Sequence, residues 1–258
     1  MKKILSSILI TNYNKSKYIK KSIKSCLDQS FKKKEILIFD DCSSDNSVQI
    51  IKKYKKVKLF RNLKKKYNSP PLNQIYGIKK LLKFSKGEVI FLLDSDDQFK
   101  ANKLKEIFNY LKKNKKIKFI QDTPTSNLDK SKMLLRKKMH FFSIWPSFYP
   151  TSTIAIKKSF FLDFLKVLRS QQYPNLEIDA RLAIYAHLRG QLYISKKNLT
   201  IYNFDEIGIS SKYKKFNKNW WKKRNEAFDY MIFLMKKFNI KFNLGPDFYV
   251  TKIINFFI

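Results

Sequence analysis

Apolar residues in this chain follow two spacings: short unbroken runs, and runs recurring every three or four positions. The clearest unbroken run is Val89-Ile90-Phe91-Leu92-Leu93, introduced by Gly87 and Glu88 and halted by Asp94-Ser95-Asp96-Asp97. It predicts a strand buried on both faces whose C-terminal end emerges into polar surroundings. Ile4 to Ile10 predicts a first strand, and past the polar corner Thr11 to Asn14 the residues Tyr18, Ile19, Ser22, Ile23, Cys26 and Leu27 take helical spacing, with Asn14 or Ser16 as caps. Glu35 to Phe39 is a second strand that stops at Asp40-Asp41, and Ser43, Ser44 and Asp45 offer caps for a helix carrying Val48, Ile50 and Ile51. Val57 to Phe60 is a third strand, and a helix from Pro71 to Phe84 leads back to the Gly87 turn.

Strands alternating with helices in this way predict right-handed βαβ units and a mainly parallel central sheet flanked by helices, an α/β fold. Parallel strands end on one edge, so Thr11 to Asn14, Asp40-Asp41 and Asp94 to Asp97 are expected to converge there. The pattern continues with a helix over Ala101 to Lys113, a strand over Ile117 to Ile120 and an irregular stretch from Asp122 to Pro150. Next come a strand over Thr151 to Ile156 and helices over Ser159 to Leu168 and Leu176 to Leu188, the second ended by Gly190. Leu192 to Ser195 and Leu199 to Phe204 read as two strands, and Trp220 to Phe238 as a long helix. The expected division is residues 1–204 as the main domain, with a ligand-binding half at 1–105 and a second half at 106–204, then a helical extension at 205–258.

Composition adjusts this reading only in places. A hydrophobic content of 44%, with 16% aromatic, excludes a disordered protein. Two cysteines, Cys26 and Cys42, make no disulfide framework; a reduced compartment and small buried side chains are the expectation. No run of about 18 apolar residues is present, so no membrane-spanning helix is expected. The net charge of +35 invites a nucleic-acid reading, but the lysines are scattered as doublets and triplets on polar helix sides and turns, without a recognition motif. A solvated basic surface is the expectation, with attraction to an anionic membrane face left open. The apolar end Phe248 to Ile258 is read as completing the core, docking on a partner or touching a membrane.

Candidate chemistry lies where the central strand ends. In open parallel sheets ligands bind beyond the carboxyl ends of the strands, and magnesium takes one or two protein carboxylates, filling its other positions with water and phosphate. Asp94-Ser95-Asp96 offers carboxylates of that kind, a motif that is weak alone because acidic pairs also open turns.

Four segments taken together are more specific. Ser7 to Asn14, Ser22-Ile23 through Gln29, Glu35 to Asp45 and Gly87 to Asp97 resemble, in order and spacing, the inverting glycosyltransferases of family 2, which have the GT-A fold. The likeness is close over residues 1 to about 105, weaker through Asp179, and slight beyond Phe204.

That resemblance implies roles. Thr11 and Tyr13 match the nucleotide-contacting corner, Asp41 the acid that accepts a hydrogen bond from the base, Asp94 the ribose-contacting acid, and Asp96 the acid holding a divalent cation (Mn2+ or Mg2+) on the donor diphosphate. Asp40 is expected to orient its turn and Asp97 to be structural, for instance by capping the next element. In Asn175-Leu176-Glu177-Ile178-Asp179-Ala180-Arg181-Leu182, Asp179 matches the catalytic base, with Glu177 as its substitute.

One departure stands out: Tyr202 to Glu206 lacks the histidine that many relatives carry there. His140 and His187 are read as ordinary surface or core residues, Trp220 and Trp221 as core in preference to sugar-stacking rings, and Lys64 to Lys66 as a phosphate contact or, at least as readily, a solvated run. The expectation is a transferase using a nucleotide diphosphate sugar, UDP-linked by choice, with a hydroxyl on a glycan or lipid-linked acceptor, in surface polysaccharide or glycan synthesis. It is expected to be cytoplasmic or peripheral at the inner membrane face. A nucleotide-sugar-binding partner subunit without transfer activity is the alternative, and a basic nucleic-acid-binding protein a more distant one.

Overall fold

The structure is a computed structural model describing residues 5–127, 144–169, 171–204, 213–241 and 244–258. His140 lies outside the described residues, as do Asp205 and Glu206.

Four parallel strands and their crossovers build the first half: β1 (Ser6–Asn12), α1 (Ile19–Leu27), β2 (Lys34–Asp41), α2 (Ser47–Lys52), β3 (Val57–Asn62), α3 (Pro70–Phe84) and β4 (Val89–Asp94). Then come β5 (Gln98–Phe99), α4 (Lys103–Lys113), β6 (Phe119–Ser126), a 3-10 turn (Thr151–Thr153), β7 (Ile154–Lys157), α5 (Lys158–Val167), α6 (Ile178–Leu188), β8 (Leu192–Tyr202), α7 (Lys218–Lys237) and α8 (Pro246–Phe257). The eight strands form one sheet in the order β3-β2-β1-β4-β7-β6-β8-β5. β1, β2, β3 and β4 run parallel, as do β6 and β8, while β7 runs antiparallel to β4 and β6, and β5 to β8. The sheet turns from one winding direction to the other between β1 and β4, which is where such sheets bind ligands.

Strand side chains alternate between faces, and that rule divides the core. Leu9, Leu37, Phe39, Ile90 and Leu92 pack under α3, α5, α6 and α7, whereas Ile8, Ile10, Ile36, Ile38, Phe91 and Leu93 pack under α1, α2 and α4. Gly77 lets α3 approach the sheet, since a Cβ there would stand 2.3 Å from the Phe39 ring. Gly190, at φ +63°, closes α6 in the left-handed conformation expected of it. α7 contributes Ala227, Tyr230, Met231, Leu234 and Met235 to the same apolar layer as α3 and α6, so the extension shares a core with the sheet domain.

Several local expectations are corrected. Neither Asn14 nor Ser16 caps α1: its N-cap is Tyr18 without a side-chain bond, while Asn14 and Ser16 are tied to the β2 loop instead. The segments 192–195 and 199–204 are one strand, β8, whose register slips beside Asp122 and Pro124. β6 continues through Ser126, because Gln121 Nε2 and Asp122 find polar partners inside the fold. Thr151 to Thr153 is a 3-10 turn rather than strand. Cys26 is buried, its thiol pushed up to about 12 by burial, but Cys42 is only half-buried, in a left-handed turn at φ 54°. No described helix is long and apolar enough to cross a membrane.

Candidate active site

The loops after β1 and β2 are laced by side chains whose short polar groups compete for backbone donors, as turns require. Asp40, fully buried, accepts from Ser43 Oγ (2.6 Å), Ser43 N (3.1 Å) and Asn12 Nδ2 (2.8 Å), and so orients the turn as expected. Asn14, at φ 50°, receives Ser44 N on its Oδ1 (2.9 Å), and Asp45 accepts from Ser16 N (2.8 Å). This lacing holds the β1 corner and the Asp40-Asp41 turn against each other.

Between them and the end of β4 opens a cavity of about 830 Å³. Thr11, Tyr13, Asp41, Asp94 and Asp96 all line it, so five of the six sequence-predicted site residues meet there. Asp41 is buried, with Oδ1 lacking a hydrogen-bond partner among the described residues; desolvation raises its pKa above the ordinary value, against an Asn62 hydrogen bond and the Lys65 charge. A buried acceptor left unpaired is costly unless a ligand donor meets it. Tyr13 is 43% exposed, with Lys65 Nζ 3.9 Å from its ring centroid. The lysine run is therefore not merely solvated: Lys65 belongs to the cavity wall.

Asp94 takes hydrogen bonds on Oδ1 from Gln74 Nε2 (2.7 Å) and Thr11 Oγ1 (3.3 Å), and its own N–H donates to Ser152 Oγ (3.0 Å). Its pKa is pushed up to about 7 by desolvation, then by the negative charges of Asp96 and Asp179. Asp96 pairs with Lys15 Nζ at 2.7 Å. Asp97 turns inward rather than capping the next element: fully buried, it accepts from Asn203 N (2.7 Å) and is held well above the carboxylate range by desolvation and by Asp96 and Asp94. That bond brings the end of β8 to the cavity, where Tyr202 and Asn203 form part of the wall despite the absent histidine.

Asp179 sits apart from this lining. It occupies the first turn of α6, with Oδ1 accepting from Ala180 N (2.7 Å), and faces a second cavity of about 300 Å³ between α6 and α7. Its charge nonetheless reaches Asp94. Its pKa is pushed up to about 7 by desolvation and by the Glu177 charge, with Lys223 acting in the opposite sense. Glu177 is buried and ion-paired with Lys223. Arg181, fully buried, fixes the turn ahead of α6 by donating to the carbonyls of Leu176 (2.9 Å), Gln172 (2.7 Å) and Tyr173 (2.6 Å).

No group of three or more histidine, cysteine or acidic residues among the described residues makes a metal cluster. The donor set at the end of β4 is of the sparser kind: two carboxylates, Asp94 and Asp96, one of which already carries a cationic partner. That suits a hard cation completed by phosphate oxygens and water. Lys15, Gln74, Ser152 and Asn203 carry no sequence signal of their own, since a single polar residue in a loop or helix has no periodicity.

The sequence profile described as glycosyl transferase family 2 matches residues 7–176. Among curated relatives, the poly(ribitol-phosphate) beta-N-acetylglucosaminyltransferase TarP of Staphylococcus aureus is 36% identical over 118 residues, 44% of this chain and 34% of that protein. The putative teichuronic acid biosynthesis glycosyltransferase TuaG of Bacillus subtilis is 31% identical over 109 residues, 42% of each. The matched stretch thus spans less than half the length of these relatives. Among solved structures, S. aureus TarS in complex with UDP-GlcNAc superposes with a TM-score of 0.67 at 17% identity, covering 97% of this chain and 70% of that one. A mannosyltransferase of Pyrobaculum calidifontis in complex with GDP-Man and Mn2+ gives a TM-score of 0.61 at 11% identity, covering 97% and 69%. These likenesses carry the GT-A arrangement of sheet and helices, and the profile match over residues 7–176 establishes that the chain belongs to glycosyl transferase family 2.

Proposed function

We propose that the chain transfers a sugar from a nucleotide diphosphate donor, UDP-linked, to an acceptor hydroxyl with inversion at the anomeric carbon. The observation that carries this is the pairing of two cavities: one holds Thr11, Tyr13, Asp41, Asp94 and Asp96, and the other presents Asp179, whose charge is felt at Asp94. In the first cavity Tyr13 offers a ring for the base, the unpaired Asp41 Oδ1 an acceptor for a ring N–H, and Asp94 an acceptor for ribose hydroxyls. Asp96, with Asp94 beside it, would hold Mn2+ or Mg2+, which when bound supplies positive charge to the departing diphosphate. Lys15 and Lys65 add fixed charge on the same wall.

Asp179 takes the acceptor proton as the acceptor oxygen bonds to the anomeric carbon; the bond from that carbon to the donor phosphate oxygen breaks, and its electron pair leaves with the diphosphate. A carboxyl with a pKa of about 7 is suited to that exchange near neutrality. The Lys223 ion pair leaves Glu177 the weaker candidate for this role.

Glycan or lipid-linked acceptors used at the cytoplasmic membrane face fit this reading. The exposed apolar side of α8, with Tyr249, Ile253, Phe256 and Phe257, together with the chain's net charge of +35, supports peripheral contact with anionic lipid. A second reading, nucleotide-sugar binding without transfer, is favoured by one observation, the Lys15 ammonium standing on Asp96. The test is UDP release from UDP-GlcNAc and other UDP-sugars with Mn2+, in the wild type and in Asp179→Asn. Release that Asp179→Asn abolishes supports transfer; UDP binding with no release from any sugar supports the second reading.

A further inference from the structure

The cavity between α6 and α7 has a composition of its own. At about 300 Å³ it is at the lower end of the range for small-molecule sites, far smaller than the neighbouring cavity. Aromatic rings from Trp145, Phe148, Tyr213 and Trp220 make one part of its wall, and the carboxylates Glu177 and Asp179 another. Among the described residues, both cations of the lining are engaged within the protein. Lys223 pairs with Glu177, and Arg224 bonds Asp247 Oδ2 (2.6 Å) and Thr251 Oγ1 (2.9 Å).

We propose that this cavity is the acceptor subsite and takes an uncharged sugar ring, stacked against Trp220 with a ring hydroxyl presented to Asp179. The proposal rests on the transferase reading and deepens it by naming an acceptor class. A sugar ring has an apolar C–H face and a rim of hydroxyls, and this wall offers aromatic faces on one side and carboxylate acceptors on the other. A phosphate or carboxylate group would need a free cation, whereas the two cations among the described lining residues, Lys223 and Arg224, are each already neutralised by a buried acid.

Trp220 is held in place rather than splayed. Asn217 caps α7 by accepting from Trp220 N (2.7 Å), Trp221 meets the Trp220 ring edge-on at 4.7 Å, and the Arg224 guanidinium lies 5.3 Å from its centroid. Trp145 is anchored by stacking on Phe228 at 5.5 Å. Tyr213, Trp220, Lys223 and Arg224 all lie beyond residue 176, so this part of the wall comes from outside the span matched by the family profile.

Ligand-observed NMR on the full chain tests the proposal, with methyl β-glucopyranoside, methyl N-acetyl-β-glucosaminide and glucose 6-phosphate as probes, against the wild type, Trp220→Ala and Trp220→Phe. The expected result is that a methyl glycoside binds the wild type in the presence of saturating UDP, about tenfold more weakly in Trp220→Ala, and near the wild-type level in Trp220→Phe. UDP affinity, followed by thermal shift, stays the same in all three and shows that each variant is folded. Neither glycoside binding, binding that survives Trp220→Ala, displacement by UDP, or preference for glucose 6-phosphate would each overturn the subsite. Failure of UDP to bind the wild type strikes instead at the transferase reading, so the two failures are distinguishable.

Discussion

Asp94 at the end of β4 and Asp179 in the first turn of α6 share one electrostatic field: both carboxyls are pushed up to about 7, and the Asp179 charge is one of the causes at Asp94. They reach it from different cavities, Asp94 from the larger and Asp179 from the smaller.

Transfer is therefore expected to fall as pH drops below about 7, since a protonated Asp179 has no lone pair to take the acceptor proton. Asp179→Asn is expected to lower the rate by about 10²–10⁴-fold while UDP affinity is kept, because Asp41 and the β1 corner are untouched. A pH–rate profile of UDP release, beside UDP binding by thermal shift, checks both. A rate insensitive to Asp179→Asn would remove this residue from the chemistry.

The same shift has a consequence for stability. In the unfolded chain an aspartate titrates near about 4, so between about pH 4 and 7 the folded protein holds a proton on Asp179 that the unfolded chain has released. Its contribution is fully present below the unfolded value and is lost as pH rises through the folded one. Asp179→Asn should thus stabilise the fold by about 1–3 kcal/mol at pH 8 and by little at pH 4, read from urea unfolding at the two pH values. An equal gain at both would show that ionisation is not the cause.

The positions of these residues are partly legible in the sequence. Asp41, Asp94 and Asp96 can be brought together from it because each stands within three residues of the end of a strand-like apolar run, and parallel strands must end on one edge. Asp179 can be found only through family resemblance, since nothing periodic distinguishes it from Glu177; the Lys223 ion pair that separates them comes from α7. Trp220 meets a similar limit. It stands near the start of α7 on the same helix face as the buried Ala227 and Met231, and only the neighbours that leave its half-buried ring lining a cavity distinguish it from core. β5 is two residues long, too short to carry any alternation.

Lys15 and Asp96 give the next expectation. The ammonium lies 2.7 Å from Asp96 Oδ2, an oxygen for which a divalent cation would compete. Lys15→Met, which keeps the length of the side chain and removes the charge, should lower the Mn2+ concentration needed for half-maximal stabilisation by UDP, by about threefold to tenfold. Isothermal titration of Mn2+ in the presence of UDP measures this. A weaker response to Mn2+ in the variant would mean that Lys15 supports the bound diphosphate more than it competes with the metal.

Lys103 and Asp122 are both fully buried and paired at 2.6 Å, beneath the edge where β4 ends. Lys103 Nζ also donates to Ser152 O (2.7 Å) and Thr200 Oγ1 (2.7 Å), and Ser152 Oγ accepts the Asp94 N–H, so this ammonium fixes the turn on which Asp94 rests. Removing one partner leaves the other charge buried and alone, which costs about 3–5 kcal/mol, whereas replacing both with apolar groups of similar size removes the desolvation penalty as well. Lys103→Met is therefore expected to lose about that much stability, and Lys103→Met with Asp122→Leu to recover most of it, in guanidinium unfolding. The double variant should still bind UDP more weakly than the wild type, because Ser152 and Thr200 have lost their shared donor even though the core is refilled. A double variant that regains both stability and full UDP affinity would confine the pair to folding and separate it from the placement of Asp94.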